Sequence, residues 1–261
     1  LEQFSQITGF SIMQEIAEGE PIGYDEPLQG YDKTYKHRKF GKGYKITREA
    51  IDDDKLKVLK NLAKWLGKAA DETVEVESAL VFNRAFNSSY TGADGVVLCS
   101  TAHPRVGGGT QANRPTTAVD LDIPALEAAL TAFRGWTDHR GKKIRIVPTK
   151  VVVAPAGEFN IAEILGGTMR ADTANNTMNA FRMRSNMKSL RDYLVWDYLT
   201  DDDAWFVVGE PQDLGIRFFW RKQFDTESAP DFDIDGYKTA GRMRFSVSWD
   251  DWLGVYGSPG A

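Results

Sequence analysis

The sequence predicts an α+β protein with a long helix in its first third, a mixed α/β middle and a β-rich end. Three observations carry that expectation. Leu56, Leu59, Ala63, Leu66 and Ala70 recur at spacings of three and four, the mark of a helix with one buried face. Ile144 to Ala154 is dense in Ile and Val, as a buried strand is. Ala204 to Val208, Gly215 to Lys222 and Met243 to Trp249 have the aromatic and β-branched composition of strands.

The chain opens on Leu1 to Ile12, which lacks a sustained period and reads as an extended arm. Between Gln14 and Asp32 stand six acids (Glu15, Glu18, Glu20, Asp25, Glu26, Asp32) and no base. Between Lys33 and Arg48 stand seven bases (Lys33, Lys36, Arg38, Lys39, Lys42, Lys45, Arg48) and no acid. Repeated Gly and Pro break any helix here, while Tyr24, Tyr31, Tyr35, Phe40 and Tyr44 suit strands. The stretch therefore reads as a two-armed β-loop, one arm acidic and one basic. Its apolar content is too small for a core, and a projecting hairpin is marginal unless it lies on another surface. The two arms can neutralise each other internally or supply contacts to neighbouring copies.

Asp52, Asp53 and Asp54 offer N-cap oxygens for the long helix. If continuous from Asp53 to Phe86, that helix spans on the order of 50 Å, with Gly67 as a point of division. Asn87 to Asp120 is rich in Gly, Ser, Thr and Asn and is long for a plain connection. A second helix over Pro124 to Trp136 carries Leu126, Ala129, Leu130 and Phe133 on one face. One or two strands around Pro148 and a short helix from Ala156 to Gly166 follow. Asn175 to Arg191, with Arg182, Arg184, Lys188 and Arg191, reads as an exposed loop or subunit contact. Asp225, Glu227, Asp231, Asp233 and Asp235 read as an acidic connection between strands.

Composition excludes several classes. At 261 residues, 42% hydrophobic and 26% charged, the chain has ordinary globular usage and can form one large domain or two modest ones. No apolar run reaches the roughly 20 residues that cross a bilayer, and no signal-peptide pattern stands at the start. The lone Cys99 excludes an internal disulfide and fits a reducing compartment. A net charge of −5 argues against a free nucleic-acid binder. Because the sequence begins at Leu1 rather than Met, it is either a trimmed product or simply starts there.

A search for chemistry returns no catalytic set. His37, His103 and His139 lie far apart in polar surroundings, and Cys99 with His103 makes only half of a zinc site. Gly107 to Thr110 is glycine-rich but no Gly-Lys-Ser/Thr follows, which excludes a P-loop. Asp201, Asp202 and Asp203 read as a solvated turn before a strand rather than as a cation site. No catalytic, metal-binding or cofactor-binding residue is expected, and no cofactor.

The order of arm, charged loop, long helix, mixed region and β-rich return resembles the major capsid proteins of tailed bacteriophages with the Hong Kong 97 type fold, in particular the Mu-like major head subunit branch. The resemblance lies in Phe40-Gly41-Lys42-Gly43-Tyr44-Lys45-Ile46-Thr47-Arg48-Glu49-Ala50-Ile51 and Asp53 onward. It continues in Asp94-Gly95 through Ser100-Thr101-Ala102-His103-Pro104, in Val151-Val152-Val153-Ala154-Pro155 and in Phe245 to Trp252. It implies an N-terminal arm (1–12), an extended loop (13–49), a peripheral domain with a spine helix (50–120), an axial domain (121–204) and a β-rich return (205–261). It implies a structural subunit, not an enzyme, that assembles as hexamers and pentamers of an icosahedral phage head. Implied partners are further copies of itself, packaged double-stranded DNA, and portal, scaffold or protease and decoration proteins; no membrane is implied. Assembly is expected in the bacterial cytoplasm and residence in the virion capsid. Candidate intersubunit contacts are Glu15, Glu18, Glu20, Lys33, Lys36, Arg38, Lys39, Lys42, Lys45 and Arg48.

Two other readings stay open at this point. A bacterial nanocompartment shell shares the fold and encloses enzyme cargo. A nucleic-acid-binding module would use Lys33 to Arg48, where basic and aromatic residues interleave.

Overall fold

The first residues, read from the sequence as an extended arm, form a strand. In the computed structural model, which describes residues 2–53, 58–169, 178–183, 190, 192–231 and 235–261, β1 (Glu2–Thr8) pairs with β2 (Leu28–Tyr35). The chain then forms β3 (Arg38–Thr47), the short α1 (Arg48–Asp52) and α2 (Val58–Asn83). The middle holds β4 (His103–Pro104), β5 (Thr110–Gln111), α3 (Ile123–Gly135), β6 (Pro148–Val153), α4 (Glu158–Gly166) and α5 (Ala180–Met183). The end holds β7 (Asp192–Val195), β8 (Trp205–Gly209), β9 (Ile216–Asp231), β10 (Gly236–Trp249) and β11 (Val255–Ser258). Two compact units result: residues 1–2, 34–79 and 217–248, and residues 3–33, 80–216 and 249–261.

The first unit is a three-stranded sheet, in the order β3-β10-β9, packed on the amphipathic α2. Strand β10 runs antiparallel to β3, with Phe40 opposite Met243 and Arg38 opposite Phe245. Alternation sends Phe40, Met243 and Phe245 to one face, where they pack with Ala70 and Val74 of α2. Phe245 also stacks on Phe40 at 4.7 Å and on Phe218 at 5.2 Å. Helix α2 is continuous through Gly67, and its 26 residues span about 39 Å. A short helix precedes the long one: Thr47 caps α1 by accepting from Ala50 N–H, and Asp53 closes it through its N–H to Glu49 O. Asp54 and Leu56 lie outside the described residues.

The expected acidic connection is mostly strand. Asp225, Glu227 and Asp231 fall within β9, where Lys222 and Asp225 (2.7 Å), Arg242 and Glu227 (2.7 Å) and Lys238 and Asp231 (2.5 Å) offset the charge. Asp233 lies outside the described residues.

The second unit is built on a mixed sheet in the order β11-β8-β6-β7, with β6 parallel to β7 and antiparallel to β8, and β8 antiparallel to β11. The fully buried Trp205–Gly209 strand is its centre. Pro148 stands at the first position of β6, the place a strand tolerates proline, and the register shift beside it is closed by Thr149 Oγ1 donating to Gly209 O at 3.0 Å. Helix α3 matches its expected bounds within a residue: the Asp122 carboxylate caps it by accepting from Ala125 N–H at 2.6 Å, and Ile123, Leu126, Ala129 and Phe133 are buried. Phe206 is packed edge-on against Phe82 at 5.0 Å and stacked on Phe86 at 5.6 Å. Strand β11 can approach it because of Gly257, where an added Cβ would sit 2.5 Å from the Phe206 ring.

Asp251 supplies a pH-dependent term in this unit. Burial pushes its carboxyl up to about 6, Leu253 N–H pulls it down, and Asp250 and Asp94 add repulsion. A folded-state value above that of the unfolded chain means that folding takes up a proton, so stability rises as pH falls from above 6 toward 4. At neutral pH the ionised form costs on the order of 1–3 kcal/mol, and the low end is expected because the residue keeps some exposure. Asp251→Asn preserves the acceptor for Leu253 and should raise the melting temperature more at pH 8 than at pH 4.5. Equal shifts at both pH values would contradict this assignment.

Candidate functional site: an exposed acidic loop and a basic sheet face

The charged stretch does not form one two-armed loop. Strand β2 pairs with β1, β3 pairs with β10, and most of the acidic segment, residues 9–27, is outside any strand. The acidic segment is a loop clamped at its base. Ser11 donates to Asp25 Oδ2 from both its backbone N–H and its hydroxyl at 2.7 Å. Arg140 Nη1 reaches Asp25 at 3.0 Å and its Nη2 reaches Glu26 O, while Lys142 Nζ donates to Phe10 O at 3.3 Å. Ser11 and, less strongly, Arg140 hold the Asp25 carboxyl down at about 2. The clamp is therefore charged throughout the neutral range.

Beyond the clamp the loop leaves its apolar side chains in solvent. Ile12 is 73% exposed, Met13 96%, Ile22 69% and Tyr24 99%. Glu15, Glu18 and Glu20 are exposed beside them, around a turn closed by Glu20 N–H donating to Ala17 O at 3.1 Å. Clustered apolar exposure of this kind marks an interaction surface.

The basic residues divide into three groups. Lys33 is committed within its own unit: Nζ donates to Thr91 O at 2.7 Å above the Trp249 ring, and burial lowers its pKa against the pull of Asp94. Arg38 pairs with Glu77 and Arg48 with Asp235 at 3.3 Å. Lys36, Lys39, Lys42 and Lys45 are exposed, with no ion-pair partner among the described residues. The register then reveals what sequence could not. Lys39 lies opposite Arg244, and Lys45 opposite Lys238, on the sheet face turned away from α2. Between them lies a flat strip of Gly41, Gly43 and Ala240, and an added Cβ on Gly43 would meet Thr239 O at 2.6 Å.

The three histidines lie apart with polar partners, as expected, and none of them is exposed. His103 is 1% exposed, with Nδ1 2.6 Å from Asp94 Oδ2, Nε2 3.0 Å from Asn113 Oδ1 and its ring stacked on Trp252 at 4.6 Å. Asn113, missed in the sequence, is the hub: its Nδ2 donates to Leu98 O at 2.7 Å and Val255 O at 3.0 Å, and its Oδ1 accepts from Ser100 N–H at 2.7 Å. The Asp94 to Pro104 motif thus builds a buried joint rather than a reactive site. Ser246 Oγ lies 3.1 Å from Nδ1 of the buried His37, and burial lowers the pKa of His139 against Asp138 and Asp94. Burial also raises Cys99 far above a reactive thiol. Asp201, Asp202 and Asp203 are exposed at a bend, as expected. Arg184, Lys188 and Arg191 lie outside the described residues. Among the described residues no group of three or more His, Cys, Asp or Glu is placed to hold a metal, and no helix is long and apolar enough to cross a membrane.

A loop that leaves its apolar residues uncovered, together with a sheet face rich in cations, describes a structural subunit built to associate. The chain belongs to the phage capsid protein family, which it matches over residues 30–258. It is a major capsid structural protein of phage heads. Among solved structures it is similar to the capsid of Cyanophage P-SCSP1u, at 11% identity and a TM-score of 0.58 over 98% of this chain and 82% of that one. It is also similar to the capsid of Helicobacter pylori bacteriophage KHP30, at 8% identity and a TM-score of 0.56 over 98% and 83%. A third is the capsid of bacteriophage JBD30 decorated with minor capsid protein trimers, at 15% identity and a TM-score of 0.51 over 75% and 85%. At these identities the likeness is one of fold. No curated protein matches the sequence.

Proposed function

We propose that the chain self-assembles as hexamers and pentamers of an icosahedral head that encloses double-stranded DNA, without catalysing a reaction. The single observation that carries this reading beyond the family is the loop of residues 9–27, which exposes Ile12, Met13, Ile22 and Tyr24 and has no cover within its own unit. Within that reading, residues 1–12 serve as the N-terminal arm, 13–49 as the extended loop, 50–120 as the peripheral domain, 121–204 as the axial domain and 205–261 as the return. Glu15, Glu18, Glu20, Lys36, Lys39, Lys42 and Lys45 supply intersubunit contacts, and Lys33, Arg38 and Arg48 add to them after meeting their own partners. Within the family, the resemblance carried by residues 40–51, 94–104, 151–155 and 245–252 supports the Mu-like branch. Portal, scaffold or protease and decoration proteins complete the set of partners, and assembly takes place in the bacterial cytoplasm. Electron microscopy of particles purified with this chain is the test.

A further inference from the structure

We infer that the basic face of the β3-β10-β9 sheet is the receptor for the acidic loop, residues 12–24, of a second copy of this chain. The inference rests on the assembly reading above and adds the two surfaces that meet. The face is poorly designed for an isolated subunit. Lys39 opposite Arg244 and Lys45 opposite Lys238 are like-charge cross-strand pairs, which oppose sheet formation. Lys238 and Arg242 are offset by Asp231 and Glu227, but Lys39, Lys45, Arg221 and Arg244 have no ion-pair partner among the described residues. A surface that concentrates unpaired cations at a cost in stability fits an anionic partner.

The chain itself carries a matching anion. From Gln14 to Asp32 there are six acids and no base, and Glu15, Glu18 and Glu20 are exposed without ion-pair partners among the described residues. The same loop needs apolar cover for Ile12, Met13, Ile22 and Tyr24. The Gly41, Gly43 and Ala240 strip, flanked by the aliphatic stems of lysine and arginine, offers a flat floor for such side chains. A nucleic acid would satisfy the cations only, and a chain of net charge −5 repels it elsewhere.

Two charge-reversed variants test this. One carries Lys39→Glu, Lys45→Glu and Arg244→Glu; the other carries Glu15→Lys, Glu18→Lys and Glu20→Lys. Circular dichroism checks the fold, and sedimentation velocity on nuclease-treated protein reads association. Each variant alone should associate at least tenfold more weakly than wild type. Mixed in equal amounts they should recover, because each copy then offers its partner an opposite charge at both surfaces. A mixture as dissociated as its components, beside an associating wild type, overturns the inference while leaving the shell reading intact. So does a normal loop variant beside a face variant that loses binding to a 30-bp DNA duplex, which would make nucleic acid the partner. Wild type that never associates overturns both readings. Should the face reversal disturb folding, Lys39→Gln, Lys45→Gln and Arg244→Gln replaces it. That variant should melt at a higher temperature than wild type yet associate more weakly, whereas a merely structural role for the cations predicts a lower melting temperature.

Discussion

Replacing Asn113 with Ala is expected to lower the unfolding free energy by about 3–5 kcal/mol, because several buried groups lose their partners at once. The side chain is fully buried and joins Leu98, Ser100 and His103 of its own connection to the distant Val255. Its backbone adds two more links, Asn113 N–H to Ser100 O and Gly257 N–H to Asn113 O, each at 3.0 Å. Truncation leaves the carbonyls of Leu98 and Val255 short of a donor and removes the amide oxygen that faces His103 Nε2. Asn113→Asp should be no better, since a carboxylate would face two carbonyl oxygens where the amide now donates. Urea denaturation followed by near-ultraviolet circular dichroism, which reports Trp252 beside His103, measures the effect. A loss under about 1 kcal/mol for Asn113→Ala, within the range of one ordinary hydrogen bond, would contradict the hub assignment.

Phe206→Ala should cost a similar amount, about 3–5 kcal/mol, but for a different reason. Phe206 is 1% exposed and touches Phe82, Phe86 and the backbone of β11 at Gly257. Removing the ring takes away buried apolar surface and leaves a cavity that two further rings and a strand would have to close. Adding a side chain at Gly257 with the Phe206 ring still in place should also destabilise, because the two cannot coexist at 2.5 Å. Thermal melts of Phe206→Ala and Gly257→Ala, singly and together, test this. If the double variant is less destabilised than the sum of the singles, the two positions share one packing site. Additive losses would place them in separate ones.

How much of this was legible in the sequence depended on whether a local signal determined the local structure. Helix α3 was legible because Asp122, Pro124 and an apolar repeat all act within one short segment. The long helix and β6 were legible for the same reason. Strand β1 was not, because its pattern is inverted: Gln6 turns inward to donate to Asp250 O and to meet His139, while Ile7 is 72% exposed. Long-range hydrogen bonds stand there in place of apolar burial, and no window of neighbouring residues reveals them. The acidic half of β9 was read as a connection because its ion-pair partners, Arg242 and Lys238, sit on another strand.

The surface followed the same division. That residues 14–48 are segregated by charge is visible in composition. That the acidic part is a clamped loop and the basic part a sheet strand depends on Arg140 and on β10, both more than a hundred residues distant. The face itself needs Lys238 and Arg244, which nothing in the basic stretch announces. Asn113 was invisible for a comparable reason: an asparagine in a Gly- and Thr-rich connection ordinarily reads as a turn residue.

Cryo-electron microscopy of particles purified with this chain decides whether it forms the wall of a phage head. Closed shells are expected in which every quasi-equivalent position holds one copy, each recognisable by a 26-residue helix packed on the three-stranded β3-β10-β9 sheet. Particles whose walls are built from another chain, or a chain that stays monomeric at 29.1 kDa when given its assembly partners, would rule that role out.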